Sequence, residues 1–438
     1  MALRYPTAGT HDNSGVSRGI TDAGAVRSSP LRTVGGVGHP VSMISTLAVA
    51  GYRSVRDLVI ALGGLDIVTG PNGSGKSSLY RALRLLASTA GAGVTDGGST
   101  GTGVVGALAR EGGLASTLWA GPEGFSRDML SGDVPVQGGR RSSPVSMRLG
   151  FGGDDLGYLV DLGIPRPGIT AFVNDPEIKR EQIFAGGVAR PSAVLVDRSG
   201  PAVRVRDAHW RSLERRLDAR ESILSEFGGD DATPEIDAVR RSIRRWRFYD
   251  HLRTDADAPS RRPRVGTATP VLSSSGADLA ACLQTIREQG GGDAVDAVVD
   301  RAFPGTSVRV EADDGGLFRV RLRQPGMLRP LEAHEFSDGT LRFLLLTAAL
   351  LSTRPPELLV LNEPETSLHV DLLPALGELI VAAAAETQLV VVTHARALVD
   401  AVRTGADATE HRLEKRLGET LVAGQGMLDA PAWVWPTR

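Results

Sequence analysis

Two kinds of hydrophobic pattern alternate along the chain. Leu79, Leu83 and Leu86 recur at helical spacing and predict a helix over residues 76–88, and a second helix is expected over residues 372–385. Short apolar runs bounded by glycine or polar residues predict strands at ISTLAVAGYRS, LVIALGGLDIVTG, SMRLGFGG, LGYLVDLGI, ITAFVND, AVLVDR, AVRVRD, SVRVEA, LFRVRLR, ELLVLNEP and QLVVVTH. The chain is therefore expected to be an α/β protein with a large share of strand.

In the middle of the chain, the spacing of apolar residues changes from that of strands to that of helices. Apolar residues recur at helical spacing in three groups, which are Trp210, Leu213, Leu217, Leu224 and Phe227; Ile236, Val239, Ile243 and Trp246; and Leu279, Leu283 and Ile286. They predict a mainly helical lobe at residues 206–305, inserted between two parts of a strand-rich core at residues 43–205 and 306–438. Residues 1–42 show no period, so we expect a disordered leader and a biological start at Met43.

Composition narrows the class of protein. A length of 438 residues fits one large core with an inserted lobe, or two domains, and a net charge of −2 gives no overall basic field for nucleic acid or anionic membranes. The single cysteine, Cys282, excludes an intrachain disulfide and fits a reducing cytosol. The longest apolar runs fall far short of the ~20 residues that span a bilayer. We therefore expect a cytoplasmic protein without a membrane partner.

The stretch GPNGSGKSS, Gly70–Ser78, has the pattern of a phosphate-binding loop between a strand and a helix. Its glycines let successive backbone N–H groups point inward, and the helix N-terminus adds partial positive charge. Only three of the 49 basic residues are lysines, and one of them, Lys76, stands where it would reach the β- and γ-phosphates of ATP. The expected nucleotide contacts are Gly70, Asn72, Gly73, Ser74, Gly75, Lys76, Ser77 and Ser78, with Ser77 also binding Mg²⁺. The alternative is a glycine-rich turn before an ordinary helix.

A second motif, LLVLNEPETSLH, ends an apolar strand in carboxylates. Phosphoryl transfer depends mostly on positioning and charge stabilisation, and Glu363 is placed to orient a water and partly deprotonate it. Asn362 is expected to face the hydration shell of the Mg²⁺ ion. Glu365 and His369 have an alternative interpretation as loop residues satisfied by solvent.

These motifs resemble the ABC-type ATPase heads of the RecF, SMC and OLD-like group, specifically the stand-alone RecF-like predicted ATPases of bacteria. GPNGSGKSS resembles their Walker A motif and LLVLNEPETSLH their Walker B motif with D-loop. EFSDGT, at residues 335–340, resembles the ABC signature, and VVVTHA the segment of the switch histidine. The resemblance covers residues 43–80 and 330–400 well, and it extends to WRFYDHLRTDADAP and the WVWP tail.

The resemblance implies a P-loop NTPase fold of the ABC-head type and a homodimer with two ATP molecules between its subunits. Ser337, Asp338 and Gly339 would bind the γ-phosphate held by the other subunit, again at a helix N-terminus. His394 would act as the switch histidine that senses the γ-phosphate. Arg53, in GYRS, matches an arginine that such heads carry near the nucleotide.

Asn362 departs from the family pattern, because most Walker B strands have aspartate there. Loss of a full charge about 4 Å from the shell of a dication costs up to ~4 kcal/mol at an effective dielectric constant of 20, before compensation. Glu363 and Glu365 keep the site anionic, so weaker Mg²⁺ dependence and slow turnover are expected rather than inactivity. Ser367 and His369 would lie in the D-loop at the dimer seam.

Three functions follow as hypotheses. The leading one is an ATPase that dimerises on ATP and couples to DNA or to a partner protein, such as a separately encoded nuclease, in DNA repair, recombination or phage defence. The others are the ATP-binding subunit of a membrane transporter, which the strand-rich middle disfavours, and a non-hydrolysing scaffold, which Asn362 leaves open. RRSIRRWRFYDHLR, Arg240–Arg253, is a candidate for nucleic-acid binding, or else a packed helix with an arginine-rich solvated face.

Overall fold

Three sheets hold the strands that the computed structural model describes, over residues 43–91, 103–138, 141–165, 170–227, 233–250, 252–426 and 428–438. The predicted leader, residues 1–42, lies outside these ranges. The expected α/β P-loop fold, with a mixed sheet and an antiparallel β part, is confirmed. Strands and helices are numbered below in chain order.

The first sheet is antiparallel throughout. Its strands are β1 (Ile44–Tyr52), β2 (Val55–Ala61), β4 (Ser146–Gly153), β5 (Leu156–Gly163), β6 (Glu177–Ala185), β7 (Val194–Ser199), β8 (Ala202–Arg206) and β9 (Trp210–Ser212). Their spatial order is β2-β1-β4-β5-β6-β7-β8-β9. Seven of the nine residues of β1 are buried, so this strand is covered on both faces.

The second sheet is mostly parallel and carries the ends of the functional motifs. Its strands are β3 (Leu65–Thr69), β10 (Arg247–Tyr249), β15 (Leu358–Asn362), β16 (Gln388–Val392), β17 (Thr409–Arg416) and β18 (Glu419–Val422), in the spatial order β10-β15-β16-β3-β17-β18. Only the pairing of β17 with β18 is antiparallel. Because the other strands are parallel, the carboxyl ends of β3, β15 and β16 meet at one edge, where α/β sheets bind ligands.

A smaller antiparallel sheet follows in the middle of the chain. It consists of β11 (Arg264–Val265), β12 (Ser307–Ala312), β13 (Leu317–Arg323) and β14 (Leu331–Glu332). β13 pairs with each of the other three. This sheet comes directly before the segment that resembles the signature.

Helices cover the sheets. The α-helices are α1 (Lys76–Thr89), α2 (Gly103–Arg110), α3 (Leu114–Thr117), α4 (Arg127–Ser131), α5 (Ile223–Glu226), α6 (Pro234–Arg244), α7 (Leu279–Ile286), α8 (Gly292–Ala302), α9 (Asp338–Leu350), α10 (Leu373–Ala384) and α11 (Arg396–Gly405). α1 buries Leu79, Leu83 and Leu86 as the spacing predicts. Among the described helices, none has the length and apolar character to cross a membrane.

In the described part of residues 206–305 helices outweigh strands, as expected, but the first of the three predicted helical groups is wrong. The spacing of apolar residues from Trp210 to Phe227 predicts a helix, but Trp210–Ser212 form β9 and only Ile223–Glu226 are helical. Trp210 is 41% exposed and lies under the guanidinium groups of Arg204 and Arg206 instead of facing a core. Further along, β10 joins the mostly parallel sheet. The division of the chain into lobes stays a prediction.

The strand expected at ITAFVND is also wrong where the structure describes it. Residues 170–175 form turns, and the next strand begins at Glu177. Phe172 and Val173 are 65% and 59% exposed, so the apolar residues of this stretch do not reach the core that would have stabilised a strand.

One buried ion pair holds the antiparallel sheet to the chain that follows it. Arg198 on β7 and Glu181 on β6 are fully buried, with Nη1 and Oε2 3.0 Å apart. Glu181 also accepts hydrogen bonds from the Tyr158 hydroxyl and from the Ile223 amide, while Arg198 donates to the Gly200 carbonyl. The buried charges of Arg198 and Glu181 therefore neutralise each other, and removal of either side chain leaves an unpaired charge in the interior.

Arg198→Met is expected to lower the free energy of unfolding by about 3–5 kcal/mol, because it leaves the buried Glu181 carboxylate without its cation. Urea unfolding followed by circular dichroism measures this. The control is Arg204→Met, which removes a half-exposed partner of Asp197 in the same sheet and is expected to cost below about 1 kcal/mol. An equal loss in the two variants would contradict a special role for the buried pair.

Candidate nucleotide site

The phosphate loop connects β3 to α1 in a conformation that depends on glycine. Gly70, Gly73 and Gly75 have φ angles of 143°, 78° and 110°, which side chains other than glycine rarely adopt. Gly75 stands at the N-cap of α1 and, among the described residues, no side chain caps the helix, so its first backbone amides remain as donors for an anion. The Lys76 ammonium donates to the carbonyls of Gly70, at 2.6 Å, and Pro71, at 3.2 Å.

The last strand of the mostly parallel sheet, β18, stabilises the phosphate loop through a hydrogen bond. The fully buried Thr420 of β18 donates from its hydroxyl to the Ser74 carbonyl at 2.9 Å, and the same oxygen lies 2.8 Å from the Ser54 hydroxyl. A Cβ atom on Gly75 would come within 2.2 Å of the Thr420 hydroxyl oxygen. The sequence motif does not reveal this contact, because Thr420 follows Ser74 by 346 residues.

The acidic motif starts where β15 ends beside β16. Asn362 pairs with Val392, and the Glu363 amide donates to the Val392 carbonyl at 2.8 Å. On the other side of β16, the Thr393 amide donates to the Val68 carbonyl of β3 at 3.0 Å. Glu363 has a φ of 48°, a left-handed conformation that is uncommon outside glycine.

Ser77, Asn362 and Glu363 line one cavity of about 430 Å³. The Asn362 Oδ1 atom is buried and has no hydrogen-bond partner among the described residues, and Ser77 is exposed. Mg²⁺ prefers oxygen ligands and usually keeps several waters and substrate phosphates around it. A free amide oxygen and a serine hydroxyl at the same cavity therefore fit a magnesium ion that ATP phosphates and water would coordinate further.

Glu365 organises the segment that holds His394, the predicted switch histidine. It is buried, and its Oε1 accepts from the Thr393 hydroxyl at 2.6 Å, the His394 amide at 3.0 Å and the Ala395 amide at 3.3 Å. The His394 Nδ1 lies 3.2 Å from the same oxygen and 4.0 Å from Glu363 Oε1. The interpretation of Glu365 as a solvated loop residue is wrong.

His369 and Ser367 lie in the exposed part of the same loop. His369 is exposed and accepts a long hydrogen bond, at 3.4 Å, from the Asp371 amide at the start of a 3₁₀ turn. Ser367 has a φ of 65°. Both residues therefore remain on the surface of the described chain, where the predicted D-loop would place them.

Arg342, on α9, is a further site residue that the sequence motifs do not identify. Its buried guanidinium donates to the carbonyls of Glu363, at 3.2 Å, Asp250, at 3.3 Å, and Leu252, at 3.1 Å. Burial lowers the pKa of this guanidinium. In the sequence, Arg342 can be recognised as the one charged residue inside the apolar run LRFLLLTAALL. An arginine that is buried with such a run needs hydrogen-bond partners.

The segment that resembles the signature lies at the start of α9. Ser337 caps the helix with its hydroxyl, and Asp338 pairs with Arg261 at 2.9 Å. A Cβ on Gly339 would lie 2.9 Å from the Ser367 carbonyl oxygen, so this segment contacts the predicted D-loop of the same chain. None of the three residues Ser337–Gly339 lines the 430 Å³ cavity.

Arg53 lies in the turn between β1 and β2 with a φ of 51°. Its guanidinium pairs with Glu111 at 2.6 Å and donates to the Tyr52 hydroxyl at 3.1 Å. Burial, together with the negative Glu111, raises the pKa of Tyr52. Glu111 lines the same cavity as Ser77, so Arg53 contacts a residue of that cavity without lining the cavity itself.

The family model described as "AAA domain, putative AbiEii toxin, Type IV TA system" matches residues 67–400. The chain belongs to this AAA family. The match includes the phosphate loop, the signature-like segment, Glu363 and His394. The expected membership of an AAA ATPase family is confirmed, and the chain is a nucleotide-binding AAA domain.

Solved structures similar to this AAA domain include heads of SMC proteins. "Crystal structure of the SmcHead bound to the C-winged helix domain of ScpA" has 14% identity and a TM-score of 0.45, covering 88% of this chain and 99% of that chain. "SMC head domain from Thermotoga maritima" has 13% identity and a TM-score of 0.43 over 88% and 100%. A head with an extended coiled coil, from Pyrococcus furiosus, has 12% identity and a TM-score of 0.44 over 87% and 96%. No curated protein matches the chain significantly.

Glu365→Ala is expected to lower the free energy of unfolding of the AAA domain by about 2–4 kcal/mol, because it leaves the buried Thr393 hydroxyl and the His394 backbone amide without an acceptor. Urea unfolding of the two proteins measures the difference. Thr366→Ala, at the exposed neighbouring position, is the matched control and is expected to change stability by less than about 0.5 kcal/mol. A stability of Glu365→Ala equal to that of the control would show that Glu365 does not organise the segment.

Proposed function

We propose that this AAA domain binds ATP with Mg²⁺ and hydrolyses it slowly, as a homodimer that encloses two nucleotides. The supporting observation is that Ser77, which follows Lys76 of the phosphate loop, lines one cavity together with Asn362 and Glu363 at the end of β15. By the resemblance to ABC-type heads, a second copy of the chain would bring its signature-like segment to the γ-phosphate. The helix N-terminus of α9, capped by Ser337, then supplies partial positive charge.

The chain's own side chains have distinct roles in this proposal. Lys76 leaves the carbonyls of Gly70 and Pro71 and binds phosphate oxygens. Glu363 orients the attacking water and takes up its proton, and His394, whose ring nitrogen lies 4.0 Å from the Glu363 carboxylate, senses the γ-phosphate. A bound magnesium ion supplies charge neutralisation at the β- and γ-phosphates. Because Asn362 is neutral, the metal is held less tightly than an aspartate would hold it, which favours slow turnover.

We further propose that the domain couples its nucleotide state to a partner protein, such as a separately encoded nuclease, rather than to DNA. In the arginine-rich stretch 240–253, five arginines bond within the chain: Arg240 to Asp237, Arg244 to the Ala90 carbonyl, Arg245 to Glu357, Arg247 to two backbone carbonyls, and Arg253 to Asp255. Trp246 and Tyr249 are buried, so they offer no ring for a base to stack on. The description of the matching family, which names a putative toxin of a toxin–antitoxin system, favours defence over repair.

Glu363→Gln is expected to form a stable dimer in saturating ATP and Mg²⁺, because the amide keeps the geometry of the site but cannot accept the proton of the attacking water. Size-exclusion chromatography with light scattering measures the mass. The double variant Lys76→Ala/Glu363→Gln, which lacks the phosphate-binding ammonium, is expected to stay monomeric. A monomeric Glu363→Gln with bound ATP would overturn the dimer, and a wild type without any hydrolysis would favour the scaffold.

Asn362→Asp is expected to lower the Mg²⁺ concentration for half-maximal ATP hydrolysis at least tenfold, since it restores a full negative charge next to the metal. Titration of the ATPase rate with Mg²⁺ measures this. Asn362→Ala, which removes the amide oxygen without adding charge, is the matched control and is expected to raise that concentration. An unchanged Mg²⁺ dependence in both variants would mean that Asn362 does not face the metal.

A further inference from the structure

A second cavity, of about 630 Å³, lies between the small antiparallel sheet and α7. Residues of β11, of β13, of the 3₁₀ turn Pro259–Arg261, of the start of α7 and of the segment Glu332–His334 line it. Its volume is in the range of pockets that hold small ligands. The residues proposed for ATP binding do not line it, so the cavity is separate from the candidate nucleotide site.

The walls of the cavity combine cations with apolar surface. Four arginines line it, against two carboxylates, and those four are Arg261, Arg262, Arg264 and Arg319. The two carboxylates are engaged elsewhere, since Asp278 accepts from Ser273 and Glu332 from Arg321. Arg264 is exposed and forms no ion pair within the described chain. The other three arginines pair with carboxylates outside the lining, Arg261 with Asp338, Arg262 with Asp257 and Arg319 with Asp313, so Arg264 is the guanidinium of the cavity that is free to bind a ligand.

Two further observations indicate a ligand with both a polar and an apolar part. Ser260 lines the cavity, and its buried hydroxyl has no hydrogen-bond partner in the described part of the chain. Phe318 also lines it, and its ring lies so close to Gly266 that a Cβ there would come within 2.4 Å of the ring. The ring is thus fixed by the backbone on one side, as a rigid apolar wall.

We propose that this cavity binds a phosphate monoester with an aromatic body, of about mononucleotide size. Guanidinium groups match the tetrahedral, doubly charged phosphate with paired hydrogen bonds. Arg264 binds the phosphate, Phe318 stacks on the aromatic body, and the Ser260 hydroxyl donates a hydrogen bond to the ligand. The proposal does not depend on hydrolysis at the other site.

The cavity also has a direct connection to the signature-like segment. The buried Arg261 in its wall donates to the carbonyls of Ala333 and Phe336, each at 2.8 Å, and to the Asp338 carboxylate at 2.9 Å. A ligand that contacts Arg261 therefore acts on the residues at the start of α9. We infer that an occupied cavity changes the ATP-dependent dimerisation, and this second step rests on the proposed function.

Binding is tested without nucleotide, by calorimetry on the full chain with 1-naphthyl phosphate, with 1-naphthol and inorganic phosphate as the two partial ligands. Saturable binding of 1-naphthyl phosphate is expected, with much weaker binding of either partial ligand. Arg264→Gln is expected to weaken it at least tenfold, and Val265→Trp, at a 68% exposed position on the rim, to abolish it by filling the cavity. Arg301→Gln, an exposed arginine outside the cavity, is the matched control and is expected to bind as the wild type does.

Several results would overturn the ligand class. Equal binding by Arg264→Gln and the wild type, or loss of binding in Lys76→Ala, would assign the aryl phosphate to another site. Binding of a hexaglutamate peptide in place of 1-naphthyl phosphate would mean that the cavity accepts an acidic peptide.

The connection to α9 is tested separately, by light scattering of Glu363→Gln in ATP and Mg²⁺ with and without 1-naphthyl phosphate. We expect the dimer fraction to change at least twofold in Glu363→Gln and not in Glu363→Gln/Val265→Trp. An unchanged dimer fraction despite calorimetric binding would overturn the connection alone. Failure of Glu363→Gln to dimerise at all would count against the proposed function, while the calorimetric result stands by itself.

Discussion

The register of three parallel strands is the constraint on which the candidate site depends. Asn362 on β15 lies opposite Val392 on β16, which lies opposite Val68 on β3. The phosphate loop, the segment of His394 and the acidic motif therefore begin at the same edge of the sheet. A slip of one residue would turn each of these side chains to the opposite face, so the buried apolar runs that fix the register also fix the site.

The catalytic candidate Glu363 is held from two directions in a conformation that it would not adopt alone. A φ of 48° in a residue other than glycine costs of order 1–3 kcal/mol and persists only where the surroundings determine it. Its amide is bonded to Val392 on β16, and its carbonyl to Arg342 on α9. A shift of α9, which carries the signature-like segment at its start, is thereby transmitted to the backbone of Glu363 without an intervening loop.

The parts of the site that are local in sequence could be predicted, and the parts made by distant contacts could not. The phosphate loop depends on glycines within a few residues and on a strand and helix whose periods are plain, so its position follows from the pattern alone. Thr420 and Arg342 take part through contacts with residues 346 and 21 positions away, and Glu365 through donors 28 to 30 positions away. The helix expected from Trp210 is wrong. Its prediction assumed that apolar residues at helical spacing face the core, but the Trp210 ring lies against arginine at the surface.

The choice between arginine and lysine separates the rigid parts of this molecule from the part that has to move. Arg198, Arg261 and Arg342 are buried, and each donates to three or more backbone carbonyls of separate loops. A planar guanidinium with five N–H groups can satisfy such a set at once, whereas an ammonium group with three donors on a flexible stem cannot hold it in one geometry. Lys76 donates only to carbonyls of its own loop, which it can leave when a phosphate arrives. A strong bias toward arginine therefore suits the scaffold, and the exception at Lys76 suits a cation that must change partners.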